Sequence, residues 1–84
     1  MKAKVFITLR ESILDPQGKA VTGSLHKLGF NEVENVRIGK MIELWLDDSL
    51  TREAAEIRIR EMCERLLANE VMEDFRIEIE GEAL

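Results

Sequence analysis

The sequence predicts an α+β fold of element order βαββαβ, and three features carry that expectation. Stretches at residues 2–10, 33–38, 41–46 and 75–79 read as strands, most of them by period-two alternation. Two longer stretches between them carry apolar residues at three- and four-residue spacing, the mark of a helix with one buried stripe. Short polar breaks separate all of these. A chain of 84 residues therefore reads as one domain over residues 1–84.

The first strand runs from Lys2 to Arg10, with Val5, Ile7 and Leu9 on one face and Phe6, Thr8 and Arg10 on the other. Asp15-Pro16 opens the first helix. Asp caps well, and Pro at the first helical position has no N–H to leave unpaired. Val21, Leu25 and Leu28 form its apolar stripe. Gly29 ends the helix, with Phe30 as the hydrophobic contact after the cap. Val33–Ile38 reads as the second strand. Gly39-Lys40 reads as a two-residue hairpin turn, with Gly39 at positive φ.

Met41 to Leu46 alternates again, setting Ile42, Leu44 and Leu46 against Met41, Glu43 and Trp45. Asp47-Asp48-Ser49 breaks the pattern. Thr51 caps the second helix, with Glu53 in the first turn against the positive end of the dipole. That helix extends to about Ala68. Ala55, Ile59, Met62, Cys63 and Leu66 share its core face, and Glu56/Arg60 and Glu61/Arg65 are spaced as ion pairs. Ile57 falls nearly opposite the core stripe and has no intramolecular explanation. Phe75, Ile77 and Ile79 then alternate with Arg76, Glu78 and Glu80 in a last strand.

Right-handed crossovers around a central hairpin give a ferredoxin-like sandwich: a four-stranded antiparallel sheet with two helices on one face. Its first and third strands are central. Phe6, Met41 and Trp45 then lie on the open face, which is expected to be an oligomer interface.

Composition closes several other routes. The chain is 45% hydrophobic, too apolar for disorder, and its one cysteine excludes a disulfide scaffold. No apolar run approaches the roughly 18 residues of a membrane span. The N-terminus enters a strand pattern without the apolar region of a signal peptide, so a cytoplasmic location is expected. Twelve basic and 17 acidic residues leave a net charge of −5, with the cations scattered, which disfavours nucleic acid.

No constellation of catalytic residues emerges. His26, the only histidine, falls off the apolar stripe toward solvent and has no Cys or second His with which to share a metal. Cys63 sits late in its helix on the core stripe, where a cysteine behaves as a small hydrophobe. Asp47-Asp48 fits a turn and Glu78/Glu80 a polar strand face, and the glycines match no phosphate-binding loop. Two stretches remain overspecified. Ile13-Leu14-Asp15-Pro16-Gln17-Gly18 surrounds a helix start, where Gly18 costs about 1 kcal/mol relative to Ala. Val36-Arg37-Ile38-Gly39-Lys40 places two cations at a tight turn. A close approach by another chain would give Gly18 a reason.

These stretches carry a resemblance to the PurS family, the small subunit of phosphoribosylformylglycinamidine synthase in bacteria and archaea. Leu14-Asp15-Pro16-Gln17-Gly18-Lys19-Ala20-Val21 resembles the family's LDPQGxAV signature. Leu28-Gly29-Phe30, Val36 to Lys40 with Glu43-Leu44, and Leu66 to Phe75 are similar to its later motifs. Glu70 stands where the last of these usually has Pro. The resemblance implies a subunit without catalytic residues that dimerises, or forms a dimer of dimers, and bridges two partners. These are a PurQ-like glutaminase that releases ammonia and a large PurL-like synthetase that uses ATP and Mg. This chain is expected to bind no cofactor or metal itself. Asp15, Gln17, Gly18, Arg37 and Lys40 are the expected contacts with those partners.

Two other classes share the topology. A small-ligand regulatory domain of ACT type usually travels fused to an enzyme. An RNA-recognition module needs central-strand aromatics in an RNP pattern amid positive charge, which Phe6 and Trp45 imitate only weakly.

Overall fold

In a computed structural model, which describes residues 1–80, three of the strand-like stretches form β1 (Lys2–Leu9), β2 (Lys40–Trp45) and β3 (Glu73–Glu80). The sheet is antiparallel in the order β2-β1-β3, with Val5 facing Ile42 on one side and Ile77 on the other. This register puts the apolar sets of all three strands on one face. There Ala3, Val5 and Ile7 are fully buried with Ala55, Ile59 and Cys63 of the second helical stretch. No polar side chain is buried among the described residues.

The sheet thus has three strands, not the four expected, because Val33–Ile38 joins no ladder. Both ends of this segment are bonded to α1 instead. The Ile38 N–H donates to Asp15 Oδ2 at 2.8 Å, and the Val33 carbonyl accepts from His26 Nε2 at 2.7 Å. Local side-chain bonds of this kind compete directly with strand pairing. The expected hairpin at Gly39-Lys40 is absent as well. Among the described residues Gly29 alone has positive φ, and Lys40 already pairs with Ile7 in β2. Gly39 has a different role: a Cβ there would run into the Ile7 carbonyl and the Thr8 side chain.

The first helix, α1 (Pro16–Lys27), forms as its caps predict. Asp15 accepts from the Gly18 N–H, and Pro16 takes the first helical position. At the other end Gly29, at φ 101°, donates to the His26 carbonyl and Phe30 to that of Leu25, the two bonds of a Schellman motif. Its placement is what differs from expectation. The sequence predicts two helices over one sheet face, yet α1 packs substantially on neither the sheet nor the second helix. The chain measures 51 × 29 × 14 Å, with a radius of gyration of 16.4 Å. A compact chain of this length would have about 12 Å.

The second helix, α2 (Arg52–Met62), starts at Thr51, whose hydroxyl accepts from the Ala54 N–H at 3.0 Å. It lies over β1 and β3, and Arg60 rests on the Phe75 ring at 5.6 Å. Its ion pair is Arg58–Glu61 at 2.8 Å, instead of the two pairs the spacing suggests. The helix continues through one π turn, Cys63–Leu67, closed by the Ala68 N–H on the Cys63 carbonyl. The extra residue of that turn rotates the side chains at its C-terminal end. Leu67 packs on the core and Leu66, expected inside, is 82% exposed. Ile57 is 62% exposed, away from the core as its position implies. No helix among the described residues is long and apolar enough to cross a membrane.

The π turn makes a test by urea denaturation. Ile59→Ala, in the fully buried core, should lose roughly 2–5 kcal/mol. Leu66→Ala should stay within about 0.5 kcal/mol of wild type. Equal losses at both positions would mean an uninterrupted helix with Leu66 in the core.

Candidate functional site

The two overspecified stretches meet in space. Asp15, in extended conformation at φ −109°, uses one carboxylate oxygen on the Gly18 N–H at 3.0 Å and the other on Ile38 N–H at 2.8 Å. One side chain therefore caps α1 and fastens the returning segment to it. These bonds hold its pKa below the ordinary aspartate value, Ile38 first and Gly18 second, with the Arg37 charge a minor contribution. Gly18 is buried here, because a Cβ would collide with the Val36 carbonyl oxygen. The close approach expected of another chain is thus made by this chain's own residues 31–38. The Thr22 hydroxyl donates to the Gly18 carbonyl at 2.9 Å, and His26 ties the far end of the same segment.

The result is an arm: α1 and residues 31–38 joined at both ends and standing off the sheet. Along its polar side runs a groove of about 690 Å³, lined by Ser12, Lys19, Thr22, His26, Asn35 and Arg37 among others. Arg37 is half-buried, and its Nη2 is buried with no acceptor. A guanidinium nitrogen left in that state is costly, roughly 1–3 kcal/mol or more, until an acceptor reaches it. Gln17 is exposed on the first turn of α1, and Lys40 is exposed where β2 begins. Asp15 and Gly18 are thereby spent on building the arm, while Gln17, Arg37 and Lys40 remain available to another chain.

The remaining expected residues lie on the far face of the sheet. Phe6 stands opposite Met41, with the Arg76 guanidinium 4.3 Å from the centre of its ring. Trp45 is 72% exposed, with Lys2 5.3 Å away over the ring. The ion pairs Lys2–Glu43 at 3.0 Å and Lys4–Glu80 at 3.2 Å cross the same face. The three apolar groups therefore share a face, as expected, but charged neighbours divide it.

Chemistry is thin everywhere. Among the described residues no cluster of His, Cys, Asp and Glu could hold a metal. Burial pushes the Cys63 thiol up, away from the thiolate form that attacks substrates. Sequence reasoning missed the Asp15–Ile38 and His26–Val33 ties. Only an apolar stripe on α1 with no seat in this chain, readable after folding, reveals the arm.

Comparisons with known proteins show the family of the chain. The family model for PurS, phosphoribosylformylglycinamidine (FGAM) synthase, matches residues 2–81. The PurS subunit of Bacillus subtilis is 51% identical over 79 residues, 94% of this chain and 92% of that protein. The PurS subunit of Methanocaldococcus jannaschii is 38% identical, covering 94% of each. In structure, B. subtilis PurS superposes with TM-score 0.81 at 49% identity over 94% of this chain and 96% of that one. A chain of a structure described as PurLQS from Thermotoga maritima superposes at 0.80 and 28% identity, covering 92% and 93%.

The double use of Asp15 predicts a pH-dependent stability. Its folded pKa is depressed, so its contribution is complete above the ordinary value of 3.8 and is lost as pH falls through the lower folded value. Asp15→Asn can satisfy only one of the two N–H groups and should melt several degrees lower at pH 7. The gap to wild type should close in that acidic window. A gap unchanged down to pH 2 would mean the carboxylate charge contributes nothing.

Proposed function

The chain belongs to the PurS family of FGAM synthase subunits, and we propose that it is the non-catalytic assembly subunit of that enzyme in purine biosynthesis. It holds a PurQ-like glutaminase against a PurL-like synthetase, so that ammonia from glutamine reaches the ATP-dependent amidation of formylglycinamide ribonucleotide. ATP and Mg belong to the synthetase, and this chain contributes no cofactor and no reacting group. The cytoplasm is the compartment this work requires.

One observation carries the reading: an arm built at the cost of a compact fold, with no partner inside its own chain. The Arg37 nitrogen without an acceptor supports it, because a partner carboxylate supplies what the chain does not. We read the missing parts of the ferredoxin-like sandwich, a second helix on the sheet and a fourth strand from Val33–Ile38, as arrangements completed on assembly with a second copy. The ACT-type alternative would put a small ligand in the α1 groove.

Gln17, Arg37 and Lys40 are the proposed contacts with the larger subunits. Gly18→Leu cannot test them, because it breaks the arm from within. Arg37→Glu does. It should keep wild-type melting within a few degrees, yet co-purify with the synthetase and glutaminase at least tenfold less well at low salt. Lys40→Ala should weaken capture only slightly, since exposed ion pairs contribute about 0–1 kcal/mol. Full recovery of both subunits by folded Arg37→Glu would place the docking surface elsewhere, with exposed Ile57 and Leu66 the next positions to change.

A further inference from the structure

We propose that the groove between α1 and residues 31–38 binds a free, neutral polar α-amino acid. Arg37 takes its carboxylate, and the glutamates of the lining take its ammonium group. This goes beyond the assembly role proposed above, which gives the chain no small-molecule ligand.

Two residues that line the groove have no explanation inside the chain. One is Arg37, whose Nη2 is buried without an acceptor. Turning its planar fork toward the groove breaks no bond of that nitrogen. A carboxylate seated there then meets it in a charge-assisted hydrogen bond. The other is Gly23, in the interior of α1, where glycine weakens a helix relative to alanine. Gly18 and Gly39 are required by close backbone contacts, and Gly29 by its positive φ. Gly23 has neither: its φ is not positive, and a Cβ there would meet nothing within 4 Å. Its effect is to keep the α1 wall of the groove open. A ligand lying against the helix backbone gives that opening a reason.

The charges of the lining select the ligand. Glu11, Asp15 and Glu34 are set against Lys19 and Arg37, an excess of one negative charge with His26 counted as neutral. Asp15 has both oxygens on backbone N–H groups. Among the described residues Glu11, Glu34, Lys19 and Arg37 enter no ion pair, so both signs are unspent. A phosphate dianion would add charge to a lining that is already negative, and no aromatic ring is there to stack a base. A zwitterion adds no net charge and meets both signs.

The uncharged groups suit a polar side chain on that ligand. Ser12 and Asn35 offer donors and acceptors. The Thr22 hydroxyl donates its proton to the Gly18 carbonyl and keeps its lone pairs to accept. At about 690 Å³ the groove is of the size of small-molecule sites, with room for bridging water around one amino acid.

The test is isothermal titration calorimetry on the full-length chain alone, with glutamine, asparagine, serine and threonine as probes. At least one should bind with a Kd of about 1 mM or tighter. Glutaramate, which is glutamine without its ammonium group, and inorganic phosphate should each bind at least tenfold more weakly. Gly23→Leu fills the groove from the open side of the helix. It should melt no lower than wild type and lose the binding, and Arg37→Gln should weaken it at least tenfold. Lys40→Ala, at a proposed docking residue outside the groove, should bind as wild type does. Phosphate or glutaramate binding as well as the amino acids would overturn the proposal in favour of a plain anion site. Wild-type binding by folded Gly23→Leu would overturn the location. Binding by none of the four amino acids, with capture of the larger subunits intact, would overturn this inference and leave the assembly role standing.

Discussion

The structure turns on one carboxylate. Asp15 binds the N–H of Gly18, the third residue of α1, with one oxygen and the N–H of Ile38, more than twenty residues on, with the other. A helix start and a returning strand candidate thereby become one body. Gly18 is required at the joint because only a residue without Cβ lets the Val36 carbonyl come that close. The Ile38 N–H on Asp15 and the Val33 carbonyl on His26 tie both ends of the segment to α1, and it joins no ladder. The three-stranded sheet, the free helix and the elongated shape are the consequences.

The core that remains is small. Three strands and one helix bury Val5, Ile7, Ile59 and Cys63 as the largest fully enclosed side chains. A chain of this length buries only about 60–65% of its unfolded surface even when compact, and this one forgoes the contribution of α1. The surface ion pairs on the far sheet face each contribute at most about 1 kcal/mol. They favour a charged exterior over a greasy one and so reduce edge-to-edge sticking of the sheet. A thin core with an unseated apolar helix is the physical profile of a chain whose folded state is completed by neighbours.

Much of this architecture is legible in the sequence. The alternation around Val5, Ile42 and Ile77 names the core face correctly, and Asp15-Pro16, Gly29 and Thr51 name the helix ends. These signals are local, and local geometry enforces them. Three things are not legible. Strand propensity at Val33–Ile38 loses to side-chain bonds made over seven and 23 residues of separation. The π turn at Cys63–Leu67 shifts the stripe by one residue and puts Leu66 outside. A helical stripe shows that α1 must be covered, but periodicity is silent on which chain covers it. Of the residues expected at a partner surface, Asp15 and Gly18 instead build the arm, while Gln17 and Lys40 are exposed and Arg37 is half-buried.

The proposed role, that of a subunit working by position alone, makes a demand that chemistry by its own residues would not. FGAM formation by the synthetase and glutaminase, with and without this chain, measured once with glutamine and once with ammonium as nitrogen source, tests that demand most directly. Omitting the chain should abolish glutamine-dependent formation and leave ammonium-dependent formation at a comparable rate. An equal collapse with both nitrogen sources would mean the chain takes part in the amidation itself. Undiminished glutamine-dependent formation without it would mean that the two larger subunits need no bridge.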